Sequence, residues 1–167
     1  EGRRLSAVQG QAVYNLGCGS QQYDGVIGVD RVSEADIVWD LDVVPWPIAD
    51  NSADIVTAFH VFEHLKSLDE AMVEVHRILK PGGRLIVEVP YFRSVGAFQD
   101  PTHVRFFTGG TMGYFYSNHK RETARYSNVR YVLIGRWYGW PASSVNPFTR
   151  VLKRLANTFS GAYDQFI

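Results

Sequence analysis

The chain has 167 residues, with 17 Lys and Arg balancing 17 Asp and Glu, and one cysteine. That length fits one domain, and a composition 46% hydrophobic and 20% charged excludes a disordered chain. A lone cysteine excludes an internal disulfide framework and an all-cysteine metal centre; with no apolar run near the roughly 20 residues of a membrane span, the expected location is cytoplasmic.

The residues from Gln11 to Leu16 form a short apolar run closed by Gly17-Cys18-Gly19-Ser20, which reads as a buried strand entering a glycine turn. Val26–Asp30, Ile37–Asp40 and Asp54–His60 read as further strands, ending in an acid, an acid and a histidine; Leu85–Pro90 is a fifth. Such runs suit a parallel sheet covered on both faces. Too few residues separate Ser20 from Ile27 for a crossover helix, so the first connection is abbreviated. Ser67 and Glu70 have capping-box spacing, and Leu68, Met72, Val75 and Leu79 recur at helical intervals until Lys80-Pro81-Gly82-Gly83. Strand, helix and strand in this order make a βαβ crossover. Beyond Pro90 the pattern loosens into an aromatic segment; Val129–Arg136 then alternates like a late strand, and Pro147–Phe159 reads as a last amphipathic helix. The expected fold is α/β, a doubly wound, mainly parallel Rossmann-like sheet with helices on both faces. It forms one domain over 1–167: a cofactor-binding half (1–90), a lid or acceptor segment (91–128), and a late strand with C-terminal helix (129–167).

The neutral total hides an asymmetry. Residues 1–90 carry 14 acidic and 7 basic side chains, and residues 91–167 carry 3 acidic and 10 basic. Thirteen of the 23 aromatic residues lie between Tyr91 and Trp140. The second part therefore either faces an anion or merely segregates solvated charge.

In a doubly wound sheet, ligands bind beyond the carboxyl ends of the strands at the point where strand order reverses. Gly17 and Gly19 let backbone approach a ligand there. Asp30 can hold two vicinal ribose hydroxyls, and Asp40 can accept from an amino group such as that of adenine. A dinucleotide fingerprint needs a third glycine opening a full helix, and Gln22 stands at that place.

With NLGCGS at Asn15–Ser20, VIGVD at Val26–Asp30, DIVWDLD at Asp36–Asp42, PWPIADNSADIVTAFHVFEHL at Pro45–Leu65 and ILKPGGRLIVEVP at Ile78–Pro90, the chain resembles the class I S-adenosylmethionine-dependent methyltransferases. It is most similar to a type 11-like subgroup with a DPTHVRFFT segment, here Asp100–Thr108. The resemblance implies S-adenosyl-L-methionine as cofactor and assigns to it Asn15, Gly17, Cys18, Gly19, Asp30, Arg31, Asp40, Leu41 and His60. Asp30 would hold the ribose, Asp40 and the Leu41 backbone the adenine edge, and His60 would sit beside the methyl group. Two positions depart from the pattern: Asn15 replaces the usual acid and Gln21 the usual third glycine. An asparagine still hydrogen-bonds an amino group, without charge assistance.

His103, with Asp100 nearby, is the first candidate for a general base, and His60 the second. His103 equally suits packing against Phe106 or Phe107. Arg93 and Arg105, with Asp100 and His103, are the candidate acceptor-binding residues. Cys18 reads as a small packing residue. His60-Val61-Phe62-Glu63-His64 also spells H-x-x-E-H, the inverted zinc-peptidase pattern, but its histidines straddle a strand end and a turn, so no metal is expected. The function read from all this is methyl transfer to an oxygen or nitrogen of a small, anionic acceptor, without nucleic acid or a membrane span. The alternatives are a non-catalytic S-adenosylmethionine-binding module and, less favoured, a zinc hydrolase.

Overall fold

The computed structural model describes residues 10–115, 128–138 and 147–158. Five strands, β1 (Val13–Leu16), β2 (Val26–Asp30), β3 (Ile37–Val38), β4 (Ala53–Phe59) and β5 (Leu79–Glu88), form one sheet in the order β3-β2-β1-β4-β5. Every pairing is parallel. Strand order reverses at β1, which lies between β2 and β4 and so opens the crevice in which such sheets take ligands. Helices α1 (Leu68–Ile78), α2 (Val95–Gln99) and α3 (Pro147–Thr158) and a 3-10 turn at Thr111–Phe115 complete the described elements.

Alternation of side chains across the parallel register explains where the core lies. Tyr14, Val56 and Leu85 share one face with Leu16, Val29, Ala58 and Val87, and all of them join the main apolar cluster with α1. Helix α1 begins as its sequence requires: Ser67 Oγ accepts from the Glu70 amide at 3.2 Å. It buries Leu68, Ala71, Met72, Val75 and Ile78. Fully buried side chains such as Met72 and Phe62 each contribute about 1.5–3 kcal/mol of apolar transfer.

The coil between β3 and β4 is drawn onto the same face by one polar hub. Glu74, itself buried, accepts from the Trp46 amide at 2.7 Å, and Arg77 donates to Glu74, to Asp50 and to the carbonyls of Trp46 and Ile48. This coil places Leu41, Trp46 and Ile48 in the core, where a helix would usually cross.

Several boundaries move from those expected. Strand β5 starts at Leu79 rather than Leu85: Leu79 pairs with Ala53 and Arg84 with Ile55, and Lys80–Gly83, with Gly82 at φ 80°, bulges out between the two pairings. No helix follows β1, in line with the abbreviated first connection; the Gln21 amide instead closes a turn on the Cys18 carbonyl at 3.1 Å. Val129–Arg136 is not a strand. Only Tyr131 bridges, its amide donating to Phe115 O at 2.8 Å, while Val132 and Ile134 are exposed, so alternation there lacks a covered face. Helix α3 ends at Thr158, and Phe159 and residues 116–127 lie outside the described residues.

Candidate active site at the carboxyl edge of the sheet

Gly17 and Gly19 turn the chain at the end of β1 with φ of 64° and 56°, values that disfavour any residue with a Cβ. At Gly17 the reason is also spatial: a Cβ would lie 2.2 Å from Val61 Cγ2. A Cβ at Gly19 would meet nothing within 4 Å, so open space lies against that backbone. Cys18 is buried, and burial pushes its thiol up, so it packs rather than reacts. Asn15 is buried inside β1, where its Oδ1 accepts from Thr57 Oγ1 on β4 at 2.9 Å. That bond directs the carboxamide NH2, a donor, to the remaining side of the group.

Asp30 at the end of β2 is held by backbone amides: Oδ2 accepts from Gly19 at 2.8 Å and Oδ1 from Arg31 at 2.6 Å. The glycine turn and the carboxylate are therefore one unit, and the carboxylate keeps acceptor capacity for two hydroxyls. Beside it lies a cleft of about 260 Å³ lined by Arg31, Val38, Trp39, Asp40 and Val43. Asp40 Oδ1 caps the Asp42 amide at 3.0 Å, and Trp39 Nε1 donates to Val43 O at 2.8 Å, which stiffens the wall. Leu41 is buried, and its carbonyl accepts from Trp46 Nε1 at 3.1 Å.

His60 follows β4 with φ 57°, a left-handed conformation that costs a non-glycine residue about 1–2 kcal/mol. Its Nδ1 lies 3.3 Å from Glu63 Oε1 and its Nε2 3.3 Å from Glu88 Oε1, yet the side chain is half exposed. His60 is thus clamped between two carboxylates at the mouth of the crevice.

The residues after β5 form a second group. Arg93 is exposed, its guanidinium 5.2 Å from the Phe92 ring centroid. Asp100 accepts from the Thr102 hydroxyl at 2.6 Å and the Thr102 amide at 2.8 Å, bonds that hold its carboxyl below the usual range. The His103 side chain is 6% exposed, with Nδ1 2.8 Å from Ala97 O and Nε2 4.0 Å from Asp100 Oδ2. Arg105 donates from one NH2 to Leu65 O at 2.6 Å and Lys66 O at 2.8 Å, which binds this segment to the loop after β4. The carboxyl edge therefore gathers Gly17, Gly19, Asp30, Asp40 and His60, and the segment after β5 gathers Asp100, His103 and Arg105. Sequence reasoning missed Val61, which walls Gly17, Thr57, which takes the Asn15 oxygen, and Glu88, which faces His60. Each depends on contact between strands far apart in the chain; only the acid at the end of β5 could have been noticed beforehand.

Residues 14–87 match the family model described as a methyltransferase domain. The chain is 39% identical over 74 residues to the Escherichia coli protein YafE, itself uncharacterised, covering 38% of this chain and 36% of that protein. It is 37% identical over 101 residues to a Saccharomyces cerevisiae tRNA(Thr) (cytosine(32)-N(3))-methyltransferase, covering 50% of this chain and 15% of the relative. The chain thus spans about a third or less of these relatives. A S-adenosylmethionine-dependent methyltransferase from Archaeoglobus fulgidus superposes with a TM-score of 0.53 at 17% identity, covering 94% of this chain and 80% of that one. The open backbone at Gly19, the anchored Asp30 and the adjoining cleft fit that family's cofactor. Among the described residues no helix is long and apolar enough to cross a membrane. Residues 14–87 thus match a methyltransferase domain, and the five-stranded parallel sheet shares the fold of the Archaeoglobus fulgidus structure.

Proposed function

We propose that the chain transfers a methyl group from S-adenosyl-L-methionine to an oxygen or nitrogen nucleophile of a small anionic acceptor. The observation that carries this reading is the Asp30 carboxylate, fixed by the Gly19 and Arg31 amides next to an open glycine turn and a cleft. When bound, the cofactor supplies a methyl group on a sulfonium leaving group, so the protein's work is alignment and desolvation. Asp30 accepts from the ribose hydroxyls. Arg31, Trp39 and Asp40 border the cleft suited to the base. Gly17, Gly19 and the Asn15 carboxamide meet the methionine end.

His60 is better placed than His103 to take a proton from an acceptor: it is half exposed at the crevice, whereas the His103 side chain is largely covered, with one nitrogen on a carbonyl. The charge asymmetry and the exposed Arg93 support an anionic acceptor. Arg105, tied to two carbonyls, holds the segment in place instead.

The test is calorimetric titration with S-adenosylhomocysteine. Micromolar binding is expected, weakened about 100-fold in Asp30→Ala, since hydrogen bonds to a charged group contribute about 1.5–3 kcal/mol. No binding by the folded chain refutes the cofactor reading. Transfer of labelled methyl into tRNA rather than small anionic metabolites refutes the acceptor reading alone.

A further inference from the structure

We infer that Glu63, His64 and His103 form a binding site for one divalent transition-metal ion of the zinc type. The inference is independent of the cofactor reading. One ligand atom from each of the three residues lies within 4.8 Å of the others. Glu63 is 1% exposed, and neither of its oxygens has a hydrogen-bond partner. His60 Nδ1, 3.3 Å from Oε1, stands out of hydrogen-bonding alignment. A buried carboxylate without donors is costly unless a cation neutralises it.

The two imidazoles are oriented for that task. Thr102 Oγ1 donates its one proton to Asp100 Oδ1 at 2.6 Å, so it accepts from His64 Nδ1–H at 2.9 Å. Ala97 O can only accept, so His103 Nδ1 carries the proton across their 2.8 Å contact. In each neutral ring the lone pair therefore sits on Nε2, and the Nδ1–H is held by an oxygen, the usual support for a metal-bound imidazole. The ring centroids are 4.7 Å apart at 71°, with no stacking to block an ion.

The scaffold also draws the two chain segments together before any ion arrives. Val104 N donates to Glu63 O at 2.9 Å, and Arg105 bonds the carbonyls of Leu65 and Lys66. Bonds of 2.0–2.2 Å put tetrahedral ligand atoms roughly 3.3–3.6 Å apart, so binding needs a closure of about an ångström. Two imidazoles and one carboxylate suit zinc and its neighbours rather than magnesium or calcium, which take oxygen. The set differs from the H-x-x-E-H pattern: Glu63 and His64 belong to it, but the other histidine is His103, and His60 lies apart between Glu63 and Glu88. A bound ion would pin the segment after β5 to the end of β4.

The experiment is zinc titration of the chelator-treated full chain, by calorimetry and by competition with a chromophoric chelator. Stoichiometric binding is expected. Its loss in Glu63→Gln and in His103→Ala should exceed the roughly 10–100-fold that losing a supporting partner costs, and His60→Ala should still bind one equivalent. Folding of each variant is read from far-UV circular dichroism. If a variant does not fold, cobalt substitution of the wild-type chain decides: intense d–d absorption of a tetrahedral nitrogen-and-oxygen site supports the assignment, and the spectrum of the aqueous ion overturns it. Failure of the folded wild-type chain to bind zinc, or unchanged affinity in both ligand variants, also overturns it.

Discussion

Gly17→Ala isolates the contact between the ends of β1 and β4. The new Cβ meets two penalties that can be separated. A non-glycine residue at φ 64° costs about 1–2 kcal/mol. Overpacking against Val61 Cγ2, 2.2 Å from the ideal Cβ position, adds about 1–3 kcal/mol. The sum, about 3 kcal/mol, lowers the melting temperature by roughly 6–12 °C for a chain of this size. Val61→Ala alone costs about 2 kcal/mol, because Val61 is buried. In Gly17→Ala/Val61→Ala the collision with Cγ2 disappears, leaving the backbone penalty and the cost of Val61→Ala itself, so the double variant should be more stable than the sum by about 1–3 kcal/mol. The assay is reversible urea unfolding of the four proteins with a common m-value. Strict additivity would refute the reasoning, since it would mean that Val61 does not wall the turn. Loss of S-adenosylhomocysteine binding in Gly17→Ala, with only partial recovery in the double variant, would tie the same backbone turn to the cofactor.

Glu74→Gln should destabilise the chain by about 2–3 kcal/mol at neutral pH. Burial by itself raises the Glu74 carboxyl, but Arg77 and the Trp46 amide outweigh it and hold the group below its ordinary 4.5. Because the folded-state value is depressed, that stabilisation is complete above about pH 4.5 and fades as pH falls through the folded value. Urea unfolding at several pH values should therefore show the wild type and Glu74→Gln converging in acid; a constant gap would refute the assignment. Asn15→Asp should tighten S-adenosylhomocysteine binding about 10-fold through charge assistance, with a lower melting temperature because a charge enters a buried strand position. Unchanged affinity in calorimetry would separate Asn15 from the ligand.

The strand positions, their parallel sense, the acid closing β2 and the start of α1 were legible because each rests on local signals: apolar runs, glycines, and Ser67 capping its own helix; β3 stops at Val38, two residues short of Asp40. β5 begins earlier than its apolar run suggests because the turn residues Lys80–Gly83 form a bulge, and Leu79 before them still pairs with Ala53 of β4. The reverse holds at Val129–Arg136, where the sequence alternates but Val132, Leu133 and Ile134 are all exposed, so no side of the segment is buried among the described residues. Asp30 was legible as the acid that closes β2, but its anchoring by Gly19 was not, since that bond joins the turn after β1 to the end of the next strand. The Glu63, His64 and His103 cluster was half legible: two members stand side by side in sequence, and the third is brought to them by the chain's return after β5.

The Arg77 hub makes one stretch of coil answer to two demands. Residues 39–43 border the cleft, and a few positions on, Trp46 and Ile48 are fastened to α1 by the Arg77 guanidinium and the Glu74 carboxylate. The cleft wall thus belongs to the same stretch of coil as that clamp. Release of the clamp is expected to expose the amides of residues 41–52 and loosen the wall together, as one local opening short of global unfolding. A ligand in the cleft should accordingly slow hydrogen exchange at the distant Trp46 and Asn51 amides, which it never touches, as strongly as at the wall itself.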